Sequence, residues 1–329
     1  MADSPTELVP FRIEPRFIPR VWGFRDLRPW YDRITQSDPI GEVWLTGDDC
    51  LISTGDHAGK PLAALFAEAL PALLGPDAPS VESPLLIKVV FAREKLSVQV
   101  HPDDRMARRY GQPRGKSECW YVLAAKPEAQ VAVGLKSGVT IAQVEQEIHN
   151  GSLEASLNML PIAARDMIYV DAGTVHSIWP ESILLETQQN CDITYRMYDY
   201  GRPRELHIEK SLEATRLSTR AGKVAPQKLV DRSVRIDVEY FRVERISIDS
   251  SRSSESLRNP SEGPGLAYLF AADGSGRIAG EGFGAVDLPS HGIVAVPAVS
   301  PEFVFENTSG PDQSLDLIRI TPNWPAKSL

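Results

Sequence analysis

Residues 95–123, KLSVQVHPDDRMARRYGQPRGKSECWYVL, carry side chains of the kind that hold a divalent cation. In KLSVQVHP, strict alternation puts Leu96, Val98 and Val100 on one face of a strand and Ser97, Gln99 and His101 on the other. In GKSECWYVL, Lys116 and Glu118 share a face, and Cys119 and Tyr121 take the opposite one. Two neighbouring strands of this kind bring Gln99, His101 and Glu118 to one point. An imidazole, a carboxylate and an amide oxygen suit a borderline divalent cation and leave one or two ligands to be found. A half-buried strand also carries Gln and His toward plain solvent, so these residues need support from the rest of the chain.

Residues 165–202 supply it. DMIYV reads as a strand, DAG as a tight turn, and TVHSIW as a second strand that projects His176 just past the turn. ILLETQQ then puts Glu186 and Gln188 on one face, and CDITYRMY does the same for Asp192, Thr194, Arg196 and Tyr198. Four strands with ligand-type or acid/base groups turned inward argue for a barrel whose mouth is a site.

The elements that must position these groups are mostly short strands. Residues 10–54 hold β-like pieces broken by Gly and Pro. Residues 60–75 have leucines at helical spacing, with Pro71 expected to break or kink them and Gly75 to end them. SPLLIKVVFAREKLSVQVHP reads as two successive strands, the basic segment RMARRYGQPRGK as a loop, and TIAQVEQEIHN as a helix capped by Gly151. His149 in that helix and His207 in a second one, expected over residues 204–218, take structural roles. AGKVAPQK reads as a linker, and strands return from about residue 237. GIVAVPAVSPEFV slides onto DMIYVDAGTVHSI with Glu302 opposite His176, so the C-terminal part repeats the architecture without its histidines. His291 is expected to be structural.

With 329 residues the chain is long enough for two domains, and 24% charged and 42% hydrophobic residues describe an ordinary globular protein. A net charge of −9 and a pI near 5.3 argue against nucleic-acid or anionic-membrane surfaces. No apolar run follows a basic start, and no stretch approaches the ~20 apolar residues of a membrane span, so the cytoplasm is the expected compartment. Cys50, Cys119 and Cys191 are odd in number and far apart, which fits reduced thiols.

WG at Trp22, GEVW at residues 41–44, LIKVVFAREKLSVQVHPDD, GKSECWYVL, DAGTVHSI and CDITYRMYDYGRPRELH, in this order, resemble the class I mannose-6-phosphate isomerases in their short bacterial form. That resemblance implies a mainly β fold of two cupin (jelly-roll) barrels with a few short helices: a catalytic domain over residues 1–222 with helical insertions, and a cupin-like domain over 223–329 without metal ligands. It implies one Zn2+ per chain held by Gln99, His101, Glu118 and His176. It also implies a sugar pocket with Lys116, Glu186, Asp192 and Arg196, and a phosphate end at Ser97. Arg202 and the basic segment, acting as a lid, offer positive charge for that phosphate. The implied reaction interconverts mannose 6-phosphate and fructose 6-phosphate through a cis-enediolate, in a monomer or homodimer. Lys116, with its proton affinity lowered by the nearby cation, and Glu186 compete for the role of base. DAG in place of the commoner PAG, and WGF in place of WGG, remove no ligand.

Three rivals remain. An iron-dependent cupin dioxygenase would favour more histidines than Gln99 allows. A sugar-binding cupin without catalysis has no use for Lys116, Glu186, Asp192 and Arg196 together. An isomerase of a different sugar or sugar phosphate would share every metal motif.

Overall fold

The computed structural model describes residues 8–76, 78, 80, 82–248, 254–255, 265–310 and 312–323. Alternating branched and aromatic residues build four antiparallel sheets. In the first half, a seven-stranded sheet runs in the spatial order Gly222–Lys223, Met167–Val170, Glu118–Ala125, Ser182–Gln189, Leu85–Ala92, Ile40–Trp44, Arg16–Phe24. It faces a five-stranded sheet in the order Tyr195–Tyr198, Val98–Val100, His176–Ile178, Gln130–Leu135, Leu157–Pro161. The second half repeats this with seven strands facing four. The expected mainly β class holds, but each cupin-type unit is an open sandwich of two sheets rather than a closed barrel.

Three apolar layers hold the sheets. Trp120, Val122, Ile168 and Leu184 meet Val131, Val133 and Ile178 inside the first sandwich. Ile246, Leu269 and Leu317 meet Ile278 and Phe305 inside the second. Between the two large sheets lies a further layer, where Ile87, Phe91, Cys119 and Tyr121 pack with Tyr268, Phe270, Ile318 and Ile320, and the helix Leu62–Leu74 adds Leu65 and Phe66. The two halves therefore stand back to back. The N-terminal strand Phe11–Ile13 pairs with Ile293–Val296 in the second half, so the start of the chain serves both.

Local expectations meet specific exceptions. The helix Ile141–Asn150 forms with Thr140 as N-cap and Gly151 in the left-handed region, and Leu62–Leu74 breaks its helical path at Ala69, just before Pro71. The basic segment is not all loop: Asp104–Arg109 is helical because the Asp103 carboxylate accepts from the Met106 amide. The helix expected over residues 204–218 shrinks to Ile208–Ala214. Upstream of it, Arg204 is tied to Asp199, and the His207 ring accepts from the Arg196 amide, which pulls that stretch out of helical register. The presumed linker contributes short strands at Gly222–Lys223 and Gln227–Lys228. His291 is structural: its ring lies 4.3 Å from Trp30 and bonds the Trp30 carbonyl.

Because the layer between the large sheets is shared, replacing the fully buried Phe270 with Ala should cost about 3–5 kcal/mol of unfolding free energy. Urea denaturation checks this, and a loss below about 1 kcal/mol would show that the layer collapses around the gap.

Candidate metal centre and pocket

The two sheets of the first sandwich bring the predicted ligands together by register. His176 and Arg196 flank Gln99 as its cross-strand partners on the small sheet, while Glu118 pairs with Gln188 and Glu186 with Lys88 on the large one. The turns are built for close approach. Gly115 lies so near the chain that a Cβ there would stand 2.4 Å from the Asp103 carbonyl carbon, and the next amide, of Lys116, donates to the Pro102 carbonyl. This joins the His101 arm to the Glu118 arm. Gly173, at φ +90°, donates its amide to the His101 carbonyl, and the Thr174 hydroxyl bonds the Asp171 carboxylate. Asp171 therefore supports the turn that presents His176.

His101, Glu118 and His176 are fully buried and offer ligand atoms within 4.8 Å of one another. His101 Nε2 lies 3.6 Å and His176 Nε2 3.4 Å from the Glu118 carboxylate. His176 Nδ1 donates to the Thr174 carbonyl at 2.8 Å, which leaves Nε2 with its lone pair turned toward the cluster. The Gln99 amide contacts that nitrogen at 3.2 Å, and the Ser97 hydroxyl donates to Gln99 Oε1. Among the described residues neither ring nitrogen of His101 has a side-chain hydrogen-bond partner, and the Ile193 backbone lies against the ring. Burial, then the Lys116 charge, holds His101 well below the usual histidine range, and burial takes His176 down to about 4. Both rings are neutral near pH 7. Neutral imidazoles around a buried carboxylate, each with Nε2 turned toward it, are what a divalent cation requires.

Beside the cluster opens a cavity of about 490 Å³ whose wall includes Ser97, Gln99, Lys116, Glu118, Glu186, Asp192 and Arg196. Its floor is a chain of alternating charges. Lys116 Nζ lies 3.1 Å from Glu118 and 3.5 Å from Glu186. Lys88 Nζ lies 3.3 Å from Glu186 and 3.6 Å from Glu42. Glu42 also accepts from Arg20 and from the Trp44 indole, both at 2.9 Å. Burial alone would raise Glu42, but Lys88 and Arg20 outweigh it and hold the carboxyl at about 2. Burial and then the Glu118 charge push Glu186 up to about 7 against the two lysines. Burial disfavours the Lys116 cation, yet Glu118 and Glu186 prevail and raise its proton affinity above the ordinary lysine value. These two carboxylates work against the lowering that a cation held at the cluster would exert on Lys116.

The structure thus gathers Ser97, Gln99, Lys116, Glu118, Glu186, Asp192 and Arg196 on the wall of one cavity, with His101 and His176 clustered at Glu118 behind it. Arg202 lies outside that wall, where it donates to Asp199 and to the Lys95 carbonyl. Of the basic segment, Lys116 is on that wall and the arginines are not: Arg114 is bound to the Ser83 and Pro84 carbonyls, and Arg105 and Arg109 line a separate small cavity. Tyr198 leaves the pocket face, because a register shift after Arg196 pairs it with the apolar Val98. Sequence reasoning missed Glu42, Lys88, Arg20 and Arg204, all on the wall. The available signal was a lysine in the middle of LLIKVVFA, since a charge in an eight-residue buried strand demands partners.

Residues 21–143 match the family model for the catalytic domain of type I phosphomannose isomerases. A mannose-6-phosphate isomerase of Streptococcus mutans is 33% identical over 283 residues, covering 82% of this chain and 86% of the relative. The crystal structure of the mannose 6-phosphate isomerase from Bacillus subtilis superposes with a TM-score of 0.83 at 27% identity, over 95% of this chain and 99% of that one. A zinc-bound mannose 6-phosphate isomerase shares the fold at 15% identity, with a TM-score of 0.77 over 96% of this chain and 100% of that one.

The lowered histidines tie stability to pH in metal-free protein. Above about pH 6.5 the contribution of His176 is fully present; as pH falls from there toward 4, unfolded chains bind a proton that the folded site refuses, which by itself lowers stability by roughly 3 kcal/mol, with His101 adding to the decline and the raised Glu186 opposing it. Urea titrations across that window measure the net slope, and His176→Asn should shift it toward greater stability at low pH. An equal slope in the variant would place the lost stability elsewhere.

Proposed function

Given that the chain belongs to the type I phosphomannose isomerase family, we propose that this cavity interconverts mannose 6-phosphate and fructose 6-phosphate. The observation that carries this reading is one cavity in which a buried His101–Glu118–His176 cluster adjoins an acid/base pair, Lys116 and Glu186. An aldose–ketose isomerase has to open the sugar ring, remove a proton beside a carbonyl and return it to the neighbouring carbon.

We assign one zinc ion per chain to His101, Glu118, His176 and Gln99. The amide of Gln99 places nitrogen against His176, and a half-turn about its terminal torsion presents the oxygen instead. When bound, zinc supplies Lewis-acid stabilisation to the oxygens of the reacting carbons. The remaining steps fall to the protein. Glu186, near 7, is matched to taking a proton from C2 and delivering it to C1 through a cis-enediolate. Lys116 stays cationic beside it and stabilises the developing negative charge. Arg196 clamps the open chain, and Asp192, half-exposed at the mouth, accepts from its hydroxyls. Ser97 and Arg204 on the wall receive the phosphate end, and Arg202 shares the Asp199 carboxylate with Arg204 from outside the wall. Among the described residues no helix is long and apolar enough to cross a membrane. Free, buried cysteines and an acidic surface suit a cytoplasmic enzyme, acting as a monomer or homodimer.

Purified protein should convert mannose 6-phosphate to fructose 6-phosphate, lose that activity on chelation and regain it with zinc; a folded, zinc-loaded sample without turnover would overturn the substrate. Glu186→Gln should abolish exchange of the C2 hydrogen, lowering kcat by ~100-fold or more. Exchange surviving in Glu186→Gln but lost in Lys116→Gln would give the base role to Lys116.

A further inference from the structure

The strand Ser182–Gln189 ends beside the arm that carries Lys116 and Glu118, and its last residue closes the ladder with a side chain. Gln188 pairs with Glu118, so the next antiparallel pair is Gln189 with Ser117. The Gln189 amide donates to the Ser117 carbonyl at 3.2 Å, as such a pair requires. The return bond does not reach the Gln189 carbonyl: the Ser117 amide donates instead to Gln189 Oε1 at 2.9 Å. That carbonyl is turned away, accepting from the Cys191 amide at 2.7 Å and from Gln188 Nε2 at 3.2 Å. Ser117 and Gln189 are each only 4% exposed, so loss of the side-chain oxygen would strand a buried amide. Asp104 aims the Gln189 side chain. Its Oδ1 accepts from Gln189 Nε2 at 3.0 Å and from the Gly115 amide at 2.8 Å, and its Oδ2 accepts from the Tyr240 hydroxyl at 3.3 Å. A carboxylate can only accept, which fixes the nitrogen of Gln189 toward Asp104 and its oxygen toward Ser117. Tyr240 belongs to the second half, where the Asn323 amide donates to its carbonyl and Asn323 Nδ2 to that of Val238.

We propose that Gln189, oriented by Asp104, is a positioning residue: it fixes the backbone at Ser117 and thereby sets Lys116 and Glu118 against His101, His176 and Glu186. This rests on the zinc-isomerase reading of the cavity. Lys116 and Glu118 flank Ser117 in the chain and both line the cavity wall, whereas neither Gln189 nor Asp104 does. The distances that depend on this arm are short: 3.1 Å from Lys116 Nζ to Glu118 and 3.5 Å to Glu186, with His101 and His176 at 3.6 and 3.4 Å from Glu118. A small displacement of the arm alters all four together, and misplacement of that kind is costly to catalysis even when its origin is remote. Through Tyr240 the second half takes part in the placement, because the third donor to Asp104 comes from across the joint between the halves.

The test measures zinc affinity by competition with a chromophoric chelator, alongside steady-state kinetics, on variants that circular dichroism shows to be folded at the assay temperature. Gln189→Leu keeps the bulk and removes both side-chain bonds; zinc affinity and kcat should each fall by roughly 10- to 100-fold, with KM for mannose 6-phosphate changed far less. Asp104→Asn keeps the shape and one acceptor oxygen, so it should lower both quantities by a smaller factor, and it serves if the leucine variant folds poorly. Tyr240→Phe removes only the donor from the second half and should move both in the same direction by less still. A contact that merely adds stability would lower the melting temperature and leave zinc affinity and kcat within about twofold of wild type in the folded variants, which would overturn the proposal. If the variants lose zinc affinity and the wild type does not turn over mannose 6-phosphate, the proposed reaction fails while the positioning role stands.

Discussion

Everything at this site depends on keeping five ionisable groups, Glu42, Lys88, Glu186, Lys116 and Glu118, buried in an alternating row. Taking one charge out of water costs several kcal/mol unless a partner is already in place, so such a row forms only when each member is delivered to its neighbour by a fixed frame. The large sheet of the first sandwich is that frame. Glu186 faces Lys88 directly across two strands, and Gln188 faces Glu118 one step along the same strand. A slip of one residue in any of these strands would turn its charged group into the apolar layer on the other side of the sheet.

That layer explains why the second half exists in a chain whose chemistry lies in the first. The back of the catalytic sheet is Ile87, Val89, Phe91, Cys119, Tyr121 and Leu185, far too apolar to face water, and it is covered by Tyr268, Phe270, Ile318 and Ile320. The interior of the first sandwich is graded: Trp120, Val122 and Ile168 fill one end, and its ring–ring contact with His176 makes Trp120 the boundary between packed core and ligand cluster.

Much of this was legible in the sequence where the period of two survives. KLSVQVHP and GKSECWYVL alternate without interruption, and Gln99, His101, Lys116 and Glu118 stand where their parity puts them. Parity failed at Tyr198, because a bulge adds a residue that no local signal announces. It was of no use for Lys88 and Glu42, which sit in strands buried on both faces and read as plain core. In YDYGRPRELH nothing in the sequence tells Arg202 from Arg204; the fold alone puts Arg204 on the cavity wall, gripped in a fork by Asp199, and Arg202 outside it. Parity within a strand is a local property, whereas pairing across loops is set by the fold.

The repeated hairpin shows what separates a site from its scaffold copy. Met167–Val170 leads through a turn to His176–Ile178, and Ile293–Val296 leads through a turn to Phe303–Asn307. In the copy the first inward side chain is Phe303, one position past the counterpart of His176, so Glu302 faces solvent and the interior is filled by Phe303 and Phe305. The outer faces differ as well. In the copy, Val304 is exposed; in the catalytic half, helices Ile141–Asn150 and Ile208–Ala214 lay Val144, Ile148 and Ala214 over Val98, Val100, Val175 and Met197. A short strand packed from both sides cannot shift or twist freely, and that restraint holds His176 within 3.4 Å of the Glu118 carboxylate on the opposite sheet, with the Gln99 amide against the same ring. The helical insertions, remote from the cavity, thus brace the short strands that carry Gln99 and His176.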